Sequence, residues 1–397
     1  MKNNGLLAAG NGRIKIFALT GIRSEYDLMY PLLSALHTDD IFDVGVIVAG
    51  AHPTPLHDYS IRHIRDDGFR IVDVIENLLF SDSCASKAKS TGLLLQGLSQ
   101  TLARETPDLL LVLGDREESV AGALAGSYMS IPVVHLAGGD HTHPAGGNVD
   151  EEVRHATTKL SHVHLTMAEE HSERVKQLGE EPWRVHTVGS GGIDRLRNNP
   201  GISREQLAEV VGEHVLSDYL LVIHHPLSSA IDQASDEMQR VLEQCLATGL
   251  PVFVGAPNSD PGSQSIREMI NRFSSHSRLH AYCNLPRDAF TAILRYARCL
   301  VGNSSLGLHE AGYLGLPTVN VGERQKGRLS GDNVQFVTAE PAAVQAALER
   351  ALNDKNYRQK IDCGRSPYGD GHMTERTVRI LKDLPDRQQL LAKQLTF

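Results

Sequence analysis

Long hydrophobic runs, paired cysteines and a surplus of basic charge are all missing from this 397-residue chain. No apolar stretch approaches the roughly 20 residues that a membrane-spanning helix needs. The opening MKNNGLLAAGNGR also lacks a long apolar core, so neither a span nor a secretory signal is expected. The five cysteines (Cys84, Cys245, Cys283, Cys299 and Cys363) are odd in number, scattered and free of any CxxC pair. That pattern excludes a disulfide framework and suits a reducing cytoplasm. Lysine and arginine number 39 against 48 aspartates and glutamates, a net charge of −9. Nucleic-acid binders usually carry a basic excess, so no such partner is expected, and any phosphate affinity must come from local basic clusters. The 19 histidines include His141-x-His143, His162-x-His164 and His224-His225, none with cysteine partners. These are weak ligand signatures, and no metal is expected.

What is present is the composition of a soluble globular enzyme or binding protein, 41% hydrophobic and 22% charged. The length exceeds what one ordinary core serves, so two domains are expected. Apolar, β-branched runs at 14–19, 44–49, 109–113, 131–136 and 185–188 alternate with helix-period segments at 27–37, 87–104, 117–128 and 169–178. After a Gly/Pro-bearing stretch at 179–182 the pattern restarts, with strands expected at 219–223, 251–254, 279–283, 299–302 and 317–321. Strands that are continuously apolar are buried on both faces, hence parallel and covered by helices. The reading is α/β: two Rossmann-like, doubly wound domains, residues 1–180 and 181–372, facing one another. A helical segment at 373–397 is expected to pack back on the first.

In open parallel sheets, ligands sit beyond the carboxyl ends of the strands. The polar residues of this chain collect there. GNSSLGLHEAG (302–312) follows a strand and opens a helix, so Ser304 and Ser305 offer hydroxyls and N–H groups at a positive helix end. An ordinary Asn/Ser helix cap reads the same way. Glu310 suits neutral hydroxyls such as those of a ribose, and a diphosphate beside a diol describes a nucleotide-sugar. Arg23, in TGIRSEYDLMYPLL (20–33), can clamp a phosphate or stack on a base, or be a solvated turn residue. Asp115 and Arg116 stand at the turn of GDREE (114–118), where Asp115 also suits a helix cap. The segment HLAGGDHTHPAGGNVDEEVRHATTKLSH (135–162) supplies Asp140 and Asp150 on a polar loop, Asp150 being equally fit as an N-cap. His225 ends a strand of the second half, Asn258 and Asp260 follow the next, and Arg324, Lys326 and Arg328 of GERQKGR form a basic patch.

Together these elements, from about Ile14 to Asn333, resemble one family: the hydrolysing UDP-N-acetylglucosamine 2-epimerases of sialic and legionaminic acid biosynthesis. The likeness rests on TGIRSEYDLMYPLL, GDREE, the GGD…VDEEVRHATTKLSH block, VGSGGID (188–194), HHP (224–226), PNSD (257–260), GNSSLGLHEAG, GLPTVNVG (315–322) and ERQKGR. It implies a glycosyltransferase-B architecture, a nucleotide-sugar in the interdomain cleft, no cofactor, and a cytoplasmic homodimer. It also implies a reaction, in which UDP is eliminated to leave a glycal and water is added to give N-acetylmannosamine. Position by position, the family's catalytic acids fall on Asp115 and Asp150, and its nucleotide contacts on Arg23, Ser304, Ser305, Glu310 and Arg324. His225 and Asn258 match further active-site positions, and Arg116 and Asp194 line the same region.

One departure stands out. Where the family carries His-x-Glu-Gly-Gly, this chain has HLAGGD, with Ala137 in the acid's place and a longer loop before Asp150. Asp140, His141 or His143 is the expected substitute, unless the substrate itself differs, as a 2,4-diacetamido sugar or a GDP-linked sugar would. The alternatives are a non-hydrolysing epimerase, a nucleotide-sugar glycosyltransferase and a non-catalytic nucleotide-sugar sensor.

Overall fold

The computed structural model describes residues 12–79, 81, 83–141, 149–361 and 365–396. The chain falls into two compact units. The first takes the described residues up to Asp140, Val149–Arg195 and those from Gly371 onward; the second takes His141 and Leu196–Asp370.

The first unit is built on seven strands: β1 (Ile14–Thr20), β2 (Phe42–Val48), β3 (Ile71–Val74), β4 (Leu109–Leu113), β5 (Val133–Leu136), β6 (Val163–Thr166) and β7 (Val185–Thr187). They lie in the order β3-β2-β1-β4-β5-β6-β7, every pair parallel. Successive side chains of a strand point to opposite faces, and β1 shows it. Ile16 and Ala18 join a core with Tyr26, Met29 and Leu33 of the helix Arg23–Thr38. Phe17 and Leu19 join another with Leu94, Leu98 and Leu102 of the helix Cys84–Glu105. Both faces are thus covered, as continuous apolar runs require.

The second unit repeats the scheme with β8 (Leu220–Ile223), β9 (Val252–Gly255), β10 (Leu279–Tyr282), β11 (Cys299–Gly302), β12 (Thr318–Val321) and β13 (Val334–Val337). Their order is β10-β9-β8-β11-β12-β13, again parallel throughout. Val222 and Val254 pack into one core and Leu221 and Phe253 into another.

Three strands escaped the sequence reading. β3 and β13 are edge strands whose residues are only partly buried, and β6 reads VHLT, its apolar run broken by His164. The crossing between units also differs from the expected 180/181. It falls at 195/196, within the helix Gly191–Asn198. The 179–182 stretch instead turns inside the first unit, because β7 pairs with β6 and Glu180 is sealed against His164 at 2.9 Å and Lys159 at 2.6 Å. Beyond Gly371 come the helices Met373–Lys382 and Arg387–Leu391, whose Met373, Leu381 and Leu390 enter the first core beside Leu33 and Leu36. Among the described residues no helix is long and apolar enough to cross a membrane.

Candidate functional site

All strands of each sheet run the same way, so the turns after their carboxyl ends gather at one edge of that sheet. In the first unit that edge carries Arg23, Asp115, Arg116 and Asp140. Asp115 follows β4 and does not cap the next helix. The N-cap of Glu117–Tyr128 is Arg116, with no side-chain cap bond. The Asp115 carboxylate instead pairs with Arg154, whose side chain is only 1% exposed. The same guanidinium pairs with Glu151 and donates to the Asp140 carbonyl at 3.3 Å. Arg154 is therefore the centre of this cluster, and the sequence reading missed it. The available signal was the i,i+3 spacing of Glu151 and Arg154 on one helix face.

Asp150 lies in the first turn of the helix Val149–Leu160, one residue before Glu151 and on the element that supplies Arg154. A neutral histidine fixes the neighbouring turns. Burial pushes His135 down to about 3 despite its bond to Gly114. Its Nε2–H donates to the Gly114 carbonyl at 2.8 Å, immediately before Asp115. Ala137 holds a left-handed backbone (φ 61) while its N–H donates to Leu165 at 2.9 Å. That conformation is uncommon for a residue with a Cβ.

The substitutes expected for the acid at position 137 find other surroundings. Asp140 is 2% exposed, and its carboxylate lies 3.4 Å from Nε2 of the fully buried His171. It is a core partner of the helix Glu169–Gln177 rather than an open acid. His141 belongs to the second unit, its ring next to Gly327. His143 lies outside the described residues. Arg23 is 8% exposed and held 3.3 Å from Asp27, so it is a buried ion-pair member and not a solvated turn residue. Arg116 faces Glu25, Glu117 and Glu118.

Asp194 is corrected by the structure. It is fully buried, and its two oxygens accept the N–H groups of Met373 at 2.9 Å and Thr374 at 2.6 Å. Both sit in the first turn of the helix Met373–Lys382, so Asp194 satisfies that helix end.

In the second unit, one asparagine organises the strand ends. Asn303, 2% exposed and unpredicted, accepts the His225 N–H through its side chain at 2.7 Å and donates to the His225 carbonyl at 2.8 Å. Its own carbonyl accepts from Arg324 at 3.1 Å and from the buried Gln325 at 2.9 Å. The ERQKGR loop is thereby anchored on the residue that precedes Ser304. Gly302 makes this possible: its φ is +128, and a Cβ there would overlap the Ile223 carbonyl.

The Asn258 N–H donates to His225 Nδ1 at 3.2 Å, which leaves the ring proton of the neutral form on Nε2. The Asn258 side chain, by contrast, is engaged within its own turn by Asp260 and Ser263. In this structure it shapes its own loop. Ser304 and Ser305 are half-buried at the start of the expected helix, but that helix (Leu306–His309) is a single turn continued by a 3-10 turn. Aligned dipoles over so short a length add little, so any anion affinity here would have to come from hydroxyls, local N–H groups and Arg324. Glu310 closes the turn and is 5% exposed. No group of three or more potential metal ligands occurs among the described residues.

Comparison with known proteins follows from this geometry. The UDP-N-acetylglucosamine 2-epimerase family model matches residues 34–382. The chain is 35% identical over 379 residues to a Legionella pneumophila protein named UDP-N,N'-diacetylbacillosamine 2-epimerase (hydrolyzing), covering 96% of this chain and 98% of that one. It is 30% identical over 372 residues to polysialic acid biosynthesis protein P7 of Escherichia coli, covering 93% and 94%. Among solved structures, UDP-GlcNAc 2-epimerase from Neisseria meningitidis bound to UDP-GlcNAc superposes with a TM-score of 0.76 at 17% identity, over 93% of this chain and 99% of that one. That likeness is one of fold.

Proposed function

The chain belongs to the UDP-N-acetylglucosamine 2-epimerase family, and from that premise we propose that it is a hydrolysing 2-epimerase of a UDP-linked 2-acetamido sugar. A base takes the C2 proton, the C1–O bond breaks with its electron pair leaving on the UDP diphosphate, and a C1=C2 glycal remains. Water then adds hydroxide at C1 and a proton at C2 from the opposite face. The products are free UDP and the C2 epimer.

Asp115, with the Arg154 guanidinium against it, enters the cycle charged, as a base must. Asp150, on the helix that carries Arg154, is the second acid and returns a proton to C2. Arg23 and Arg116 supply positive charge at the same sheet edge. In the second unit, Ser304, Ser305 and Arg324 take the diphosphate, Glu310 the ribose hydroxyls, and His225 Nε2–H donates to the departing oxygen. The observation that carries the reading is the buried Arg154 drawing Asp115 and Glu151 together. A nucleotide-sugar sensor has no need of a carboxylate held in that way.

The Legionella relative makes UDP-N,N'-diacetylbacillosamine the first substrate to try and UDP-N-acetylglucosamine the second. Each is incubated with the protein in deuterated water. The expected result is UDP released in step with a sugar carrying deuterium at C2. A product that keeps its UDP identifies a non-hydrolysing epimerase, and release that waits for an acceptor identifies a glycosyltransferase. The reading extends to a cytoplasmic homodimer, which sedimentation would contradict by returning the mass of one chain.

A further inference from the structure

Three carboxyls gathered around Arg116 at the amino end of the helix Glu117–Tyr128 have no part in the chemistry above. Glu25 and Glu118 are 5% and 3% exposed. Glu25 Oε2 accepts the Gly21 N–H at 3.0 Å. The Glu118 carboxyl packs on Gly21 and Gly50 so closely that a Cβ at either would collide with it. The remaining oxygens, Glu25 Oε1 and Glu118 Oε2, receive no hydrogen bond, yet they face Arg116 Nε at 3.9 and 3.5 Å. Glu117 lies 3.7 Å from Arg116 Nη2 and 2.7 Å from Lys87 Nζ.

With Glu25 and Glu118 both ionised, two buried carboxylate oxygens stand without a hydrogen bond, an arrangement that burial penalises heavily. A single proton removes one of the two charges and turns a bare acceptor into a donor.

We propose that Glu25 and Glu118 are positioning residues which share one proton and thereby hold Arg116, next to Asp115, as a cation for the departing diphosphate. The proposal rests on the hydrolysing-epimerase reading. Arg116 keeps 16% of its side chain exposed. Loss of the proton adds one negative charge beside Arg116, where a diphosphate must be stabilised. Burial, then the Glu117 charge, pushes Glu118 up to about 7 against the opposing pull of Arg116 and Lys87. Burial, then Glu118, raises Glu25 well above the usual carboxylate range.

Two measurements test it on the full chain. Infrared spectroscopy without substrate should show the band of a protonated buried carboxyl that titrates near neutral pH and is lost in Glu118→Gln. In turnover, kcat of the parent should fall about tenfold per pH unit above that ionisation. Glu118→Gln, neutral and nearly isosteric, should keep the acid-side kcat within about threefold, leave KM in place and lose the alkaline fall. A parent without the band at mildly acid pH overturns the proposal. So does an alkaline fall that persists in both Glu118→Gln and Glu25→Gln, or a kcat lost at every pH in folded variants. If neither variant folds, the parent's infrared titration decides. That titration needs no turnover, so it is read separately from any failure of the epimerase reading.

Discussion

Asparagine in place of Asp194 separates a structural role from a ligand-binding one. The wild-type carboxylate is wholly buried and takes two N–H groups, at 2.9 and 2.6 Å, from the first turn of the helix Met373–Lys382. Asparagine keeps the shape but replaces one acceptor with an NH2 that points a donor at a donor. One buried N–H then goes unsatisfied, at about 1–3 kcal/mol. The full charge at a helix amino end is lost as well, worth about 0.3–1 kcal/mol at an exposed site and up to ~2 in partly buried geometry. The two effects overlap, since both describe the same bonds, and together should come to about 2–3 kcal/mol. In a domain of this size each kcal/mol moves the thermal midpoint by about 2–4 °C, so Asp194→Asn should melt about 4–12 °C lower. The assays are a thermal melt followed by circular dichroism and a KM for the sugar nucleotide measured well below the midpoint. KM should stay within about twofold, because a cap change leaves ground-state binding alone. An unchanged melt together with a tenfold higher KM would refute the reasoning and return Asp194 to the ligand.

Asp115→Asn should cut kcat by about 10²–10⁴ while UDP affinity, read by calorimetry, is retained; turnover within tenfold of the parent contradicts the base assignment. Gly302→Ala forces a Cβ onto the Ile223 carbonyl at a φ of +128, so a loss above about 2 kcal/mol is expected, and a soluble variant with the parental urea midpoint would speak against it. Burial holds His52 and His135 down near about 3 and His162, aided by Lys393, near about 4. Their folded values lie below the ordinary 6.5, so the unfolded chain binds more protons between those limits. The stability they contribute is complete above 6.5 and drains away as the pH falls toward 3–4. Urea midpoints should drop accordingly on acidification, and a flat profile down to pH 4 would rule out neutral burial of these rings.

Much of this molecule is legible in its sequence, for reasons that particular elements make plain. β4 and β8 are uninterrupted apolar runs, and β1 is one from Ile16 to Leu19, because helices cover both faces, and such runs declare themselves. Edge strands such as β13, with Phe336 41% exposed, carry no such signature. Asp115, Ser304, Ser305, His225 and Arg324 lie on turns after strands, where the rule for parallel sheets directs attention. Arg154 and Asn303 do not announce themselves. A buried arginine looks like any helical arginine until its partners are known, and Asn303 works through His225, Arg324 and Gln325, 21 to 78 positions away. The bonds of Asp194 to Met373 and Thr374, 179 and 180 positions away, are hidden in the same way.

The closing segment is tied into the first unit by more than apolar contact. Arg184 donates to the carbonyls of Gln389, Leu390 and Ala392, and Lys393 to those of Lys159 and Ser161. These links span 205 to 234 positions of chain. During translation, the unbroken stretch from 196 to 370 can reach its native pairings as soon as it leaves the ribosome. The amino-terminal unit, its strands already made, keeps one flank bare until the helices beyond Gly371 emerge. The half made second is thus the half completed first, and a truncation after Asp370 would strand its neighbour unfinished.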